Sequence, residues 1–128
     1  MMEGLYSTAF TFYQGGKYDE AEALFIHLTQ KAPKDVRFWM GLGATHQMKS
    51  AYWLAIKAYA QAAQLKSHAE PYVFSAECFW LDQQPKRAYL ALQEAKKRIE
   101  PDSPLQQRLV VYQKTWFNEC EVEHAKPD

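Results

Sequence analysis

One pattern limits this 128-residue chain more than any other: it repeats itself. Ala9-x-x-Phe12 returns as Gly43-x-x-His46 after 34 residues and as Ala76-x-x-Phe79 after a further 33. A fixed period of this length marks a small supersecondary unit that buries its apolar face against copies of itself. The second half of each copy places apolar residues at i, i+3, i+4 and i+7. They are Ala21, Leu24, Phe25 and Leu28, then Ala55, Ala58, Tyr59 and Ala62, then Ala88, Ala91, Leu92 and Ala95. That spacing draws one stripe along a helix. The first halves carry matching stripes: Leu5, Ala9 and Phe12; Trp39, Leu42, Gly43 and His46; Tyr72, Ala76 and Phe79. Small Ala21, Ala55 and Ala88 let two helices approach, and the bulky residue four positions on fills the gap beside them.

Two helices in 34 residues is the period of the tetratricopeptide repeat. The expected fold class is therefore all-α: a solenoid of three helix-turn-helix repeats, at about 2–34, 35–68 and 69–101. Gly15-Gly16 closes the first helix, Asp35 is an N-cap, and Pro85 suits a first helical turn. Ser50 and Gln83 stand where a repeat glycine is common, which predicts turns of looser or different shape. A solenoid end needs a cap. Leu105, Leu109, Tyr112, Trp116 and Cys120 form a stripe that predicts a C-terminal capping helix over about 103–121. The chain reads as a single domain over 1–121, followed by a frayed tail over 122–128.

Composition narrows the function. Fifteen Lys and Arg balance fifteen Asp and Glu, so there is no basic excess to hold nucleic acid. No apolar run approaches the roughly 20 residues of a membrane span, and Met1 to Gly15 lacks the pattern of a secretory signal. Two distant cysteines, Cys78 and Cys120, fit a reducing cytoplasm. No phosphate-binding loop, dinucleotide fingerprint or HExxH is present. The histidines, His27, His46, His68 and His124, do not converge by spacing. His46 takes the packing slot of Phe12 and Phe79 and reads as a partly buried core residue. Cys120-x-x-x-His124 has a one-turn metal spacing but no second pair of ligands. The expectation is no catalytic residue, no metal and no cofactor.

What remains is a binding surface. In a superhelix of such repeats, the first helix of each pair lines the concave groove. Its groove positions are those not used against the second helix. They are Tyr6, Phe10 and Tyr13, with Gln14 at the edge; Arg37, Met40, Ala44 and Gln47, with Met48 beside them; and Val73, Glu77 and Trp80. Leu5, Ala9 and Phe12 already supply the core stripe of the first helix. Tyr6, Phe10 and Tyr13 are a second stripe, which must be buried elsewhere or offered to a partner. Clamps for a peptide carboxylate need Lys and Asn at these stations. Tyr6 and Phe10 rule that use out.

Three runs of residues resemble the class II type III secretion chaperones. They are Leu5-Tyr6-Ser7-Thr8-Ala9-Phe10-Thr11-Phe12-Tyr13-Gln14-Gly15-Gly16-Lys17-Tyr18-Asp19-Glu20-Ala21, Phe38-Trp39-Met40-Gly41-Leu42-Gly43-Ala44, and Ser75-Ala76-Glu77-Cys78. The likeness covers about residues 5–100. It implies a bacterial cytoplasmic chaperone that keeps a hydrophobic translocator soluble until secretion. It further implies that an extended N-terminal segment of the translocator binds in the groove. Tyr6, Phe10 and Tyr13 match family binding positions, as does the neighbourhood of Met40, Ala44 and Gln47, while Phe25 matches a bulky position that also serves the core. Members usually carry a further N-terminal segment that contributes to dimerisation, whereas this sequence starts almost on its first helix. A homodimer is among the partners the resemblance admits. From the residues alone, a generic tetratricopeptide scaffold stays open as the alternative.

Overall fold

Three tight turns set the architecture, and they share one geometry. Gly16, Ser50 and Gln83 all adopt left-handed backbone, with φ of 79°, 59° and 62°. After each, a backbone N–H reaches back to the last turn of the preceding helix: Lys17 to Phe12, Ala51 to His46 and Gln84 to Phe79, at 2.8–2.9 Å. This is the bonding of a helix C-terminus closed by a left-handed residue. The looser turns expected at Ser50 and Gln83 are therefore not seen. The backbone bonding imposes the glycine conformation on side chains that adopt it at a cost.

The computed structural model describes residues 1–118. Its helices are α1 (Met2–Gln14), α2 (Tyr18–Lys31), α3 (Val36–Met48), α4 (Tyr52–Leu65), α5 (Glu70–Leu81), α6 (Pro85–Arg98) and α7 (Leu105–Phe117). The order is that of three helical hairpins and a capping helix. Asp35 caps α3 as expected, accepting a hydrogen bond from the Arg37 backbone N–H at 3.1 Å. Pro85 opens α6. The described part of the capping helix ends at Phe117; Cys120, the rest of the stripe to 121 and the 122–128 tail lie outside the described residues.

The chain divides into two compact units, Met1–Lys66 and the part from Ser67 onward. In the first, α2 packs on α1 and α3, and α3 packs on α4. Ala9, Ala21, Phe25, Leu28, Phe38, Leu42 and Ala58 form its buried core. Two glycines of α3 make that packing possible. A Cβ on Gly41 would fall 2.3 Å from the Phe25 ring, and one on Gly43 would fall 2.6 Å from the Tyr59 ring. The rings of α2 and α4 thus rest directly on bare α3 backbone. Each fully buried ring contributes roughly 1.5–3 kcal/mol. In the second unit, α5 and α6 pair, and α7 packs on both. Ala69, Val73, Ala76, Ala91, Leu92, Ala95 and Leu109 form that core.

Candidate functional site

The first unit carries an open aromatic ladder. Tyr6, Phe10 and Tyr13 are spaced by one helical turn, so they line one face of α1. Their rings meet edge to face, Tyr6 to Phe10 at 6.0 Å and Phe10 to Tyr13 at 6.2 Å, and Tyr18 extends the row beyond Tyr13 at 5.7 Å. Tyr6 also rests against Phe25 at 6.2 Å and Phe38 at 5.6 Å. The ladder thus has a floor: Tyr6 and Tyr13 are half-buried against the core, while Phe10 remains 41% exposed. An aromatic ring this open on a rigid helix is apolar area that a partner can cover. Gln14 is exposed at the end of the same helix.

The α3 positions behave less uniformly. Met40 and Ala44 are half-buried. Gln47 turns toward α4, where its side-chain carbonyl accepts a 2.8 Å hydrogen bond from the Tyr59 hydroxyl. Arg37 does not extend freely. Its guanidinium donates to both oxygens of Glu3, at 3.1 and 2.9 Å, and to both oxygens of Asp35, at 3.0 and 2.8 Å. It also lies 4.8 Å over the Tyr6 ring and 5.2 Å over Phe38. The Arg37 guanidinium holds the Asp35 and Glu3 carboxyls below their ordinary values, chiefly through these hydrogen bonds. Sequence reasoning missed Glu3 and placed Phe38 only within a resemblance. The signal for Glu3 was available: it precedes Arg37 by 34 residues, one repeat, at the same station of the preceding first helix.

The second unit departs from the expected surface. Val73 is fully buried in the α5–α6 core, closed in by the small residues Ala69, Ala76 and Ala91 and by Leu109 of α7. It has no face to offer, and the expectation that it points outward is corrected. Glu77 and Trp80 lie against α7. Arg108 donates to Glu77 at 3.0 Å, and the Tyr112 hydroxyl donates to the same carboxylate oxygen. Trp80 stacks on Trp116 at 4.8 Å with planes 7° apart, and Tyr112 stacks on the same indole at 4.0 Å. Burial and the neighbouring Glu77 push the Tyr112 phenol up.

Titratable side chains elsewhere serve packing. His46 is 6% exposed. Its Nδ1 lies 3.2 Å from Glu22 Oε2 but makes no hydrogen bond. Burial lowers its pKa from the ordinary 6.5, and Glu22 opposes that only in part. Cys78 is a free buried thiol pushed up to about 12 by burial, and so inert at neutral pH. Among the described residues, no group of three or more His, Cys, Asp or Glu could hold a metal ion. The Cys120–His124 pair lies outside them. No helix among the described residues is long and apolar enough to cross a membrane.

Known proteins share this fold. The tetratricopeptide repeat family matches residues 2–29. The chaperone protein SicA of Salmonella typhimurium is 34% identical over 113 residues, which span 88% of this chain and 68% of SicA. The crystal structure of the Yersinia enterocolitica type III secretion chaperone SycD in complex with a peptide of the translocator YopD superposes with a TM-score of 0.84. Its identity is 30%, covering 89% of this chain and 90% of SycD. The chain belongs to the class II type III secretion chaperones. Another structure of this kind is Pseudomonas aeruginosa PcrH in complex with the chaperone binding region of PopD. It superposes with a TM-score of 0.77 at 27% identity, over 85% of this chain and 82% of PcrH. Membership agrees with the all-α hairpin order, the first-helix run from Leu5 to Ala21 and the Ala76-Glu77-Cys78 signature of the third repeat.

Proposed function

We propose that this chain is a bacterial cytoplasmic chaperone that holds an extended, N-terminal segment of a secreted hydrophobic translocator, keeping it soluble until export. It works by binding and carries out no chemistry. The observation that carries this reading is the ladder of Tyr6, Phe10 and Tyr13. It is built on a rigid floor yet left open at Phe10, in a family whose solved members SycD and PcrH carry translocator segments. The proposed contacts are Tyr6, Phe10 and Tyr13, with Gln14 at the edge and Met40, Ala44 and Gln47 on α3.

The physics favours an apolar, unfolded client. Three aliphatic anchors buried on the ladder would contribute about 5–9 kcal/mol gross. Ordering the segment costs about 2–5 kcal/mol of that. A short peptide should therefore bind with a Kd of roughly 10 micromolar or weaker. Firm retention of a whole translocator needs further contacts. The test is a titration of a translocator-derived peptide into the Tyr6→Ala, Phe10→Ala, Tyr13→Ala triple variant, with folding checked by circular dichroism. Loss of binding with helicity intact supports the reading, and unchanged affinity removes the ladder as the site. A second copy of the chain is the other partner this reading admits, and mass in solution decides it.

A further inference from the structure

We infer that Arg37 is a positioning residue that clamps Tyr6 in place for the client, rather than a cation that binds the client's own charge. The inference rests on the function proposed above and assigns to Arg37 a different part in it.

The donor arithmetic comes first. An arginine side chain has five N–H donors in a fixed planar fork. Four hydrogen bonds already engage Arg37: two to Asp35, from Nε and Nη2, and two to Glu3, from Nη1 and Nη2. A client carboxylate could take this fork only by evicting Glu3 or Asp35. Nor does the site attract one by charge. One guanidinium between two carboxylates, both ionised at neutral pH, leaves these three side chains at −1 together.

The geometry then shows what the clamp does. Glu3 and Tyr6 lie one turn apart on α1, while Asp35, Arg37 and Phe38 open α3. The Glu3–Arg37 bonds tie the start of α1 to the start of α3. Asp35 fixes the arginine from behind and is itself fixed as the α3 N-cap. The guanidinium carbon is thereby held 4.8 Å from the centre of the Tyr6 ring and 5.2 Å from that of Phe38. Tyr6 is held by this cation on one side and by Phe10, Phe25 and Phe38 on the others. The fork that bonds both carboxylates and so fixes the cation beside the rings is specific to arginine; lysine supplies the charge without it.

The probe is the peptide of YopD that SycD binds, prepared as such and with every Asp or Glu it contains replaced by the corresponding amide. Arg37→Ala should weaken binding of both forms by a similar factor, about 5-fold. Arg37→Lys should recover little of it. In a Tyr6→Ala background the Arg37→Ala loss should vanish, because the arginine acts through that ring. A second readout needs no client: in NMR spectra of the free protein labelled on tyrosine rings, Arg37→Ala should move the Tyr6 signals and leave Tyr59 in place. Weakening confined to the acidic form of the peptide would overturn the inference in favour of direct recognition. A loss that persists without Tyr6, or Tyr6 signals that stay put, would overturn it as well. If the wild-type protein ignores the peptide while Tyr6 still responds to Arg37→Ala, the clamp stands and binding of a YopD-like client is what fails.

Discussion

Helices α1 and α5 hold the same station in their repeats, yet they present opposite surfaces. Tyr6, Phe10 and Tyr13 on α1 correspond to Val73, Glu77 and Trp80 on α5. The first set is an open ladder with Phe10 41% exposed. In the second, Val73 is in the core and the other two lie under Arg108, Tyr112 and Trp116 of α7. Repeat position sets the direction in which a side chain leaves its helix. Whether that direction ends in water depends on which helix packs there, and α7 belongs to no repeat.

The largest test of this contrast attacks the floor of the ladder. Gly41→Val should destabilise the protein by about 3 kcal/mol, because its side chain enters space held by the Phe25 ring; a drop in urea midpoint at unchanged slope measures it. Next is the cover over α5. Trp116→Ala should cost about 2 kcal/mol, since the half-buried indole stacks on both Trp80 and Tyr112. Phe10→Ala should change stability by less than about 0.5 kcal/mol. Equal losses at Trp116 and Phe10 would erase the distinction between covered and open faces.

Acid should separate the two regions further. At the station where the third repeat has Phe79, the second has His46, with its pKa held below 6.5 mainly by burial. A depressed histidine contributes stability above its unfolded value, and that contribution is lost as pH falls through the folded value. Melting temperature should therefore decline below about pH 6.5, and His46→Phe should flatten the decline in that window. Asp35 and Glu3, also depressed, lose their contributions only in the lower carboxylate range. A wild-type curve flat from pH 7.5 to 5.5 would contradict this account of His46. A further small effect is expected to be equal on both sides. Ser50→Gly and Gln83→Gly should each stabilise by about 0.5 kcal/mol, because both relieve left-handed backbone in turns of one shape. A clear inequality in thermal melts would show that the turns differ after all.

Much of this was legible in the sequence. The period set the hairpins, and the small–large pairs Ala21–Phe25, Ala55–Tyr59 and Ala88–Leu92 marked side chains that are buried. The second stripe on α1 was visible because Leu5, Ala9 and Phe12 already accounted for the first. What stayed hidden depended on partners outside any motif. Glu77 meets Arg108 and Tyr112 across 31 and 35 residues, in a helix whose register no repeat fixes. Arg37 was placed among the groove positions because repeat spacing gives its station but not the two carboxylates folded onto it. Ser50 and Gln83 misled because side-chain preference was read where backbone bonding decides.

The ring of Phe25 sits where Gly41 has no side chain, and that has a consequence for how the gene could be trimmed. A fragment that stopped after α2 would leave Phe25 without the backbone it rests on, and a greasy spot would face water. The hairpin that bears the ladder therefore cannot be excised as a minimal peptide-binder. The shortest version worth expressing must run on through α3, and its natural stopping point is Lys66, where the first unit ends.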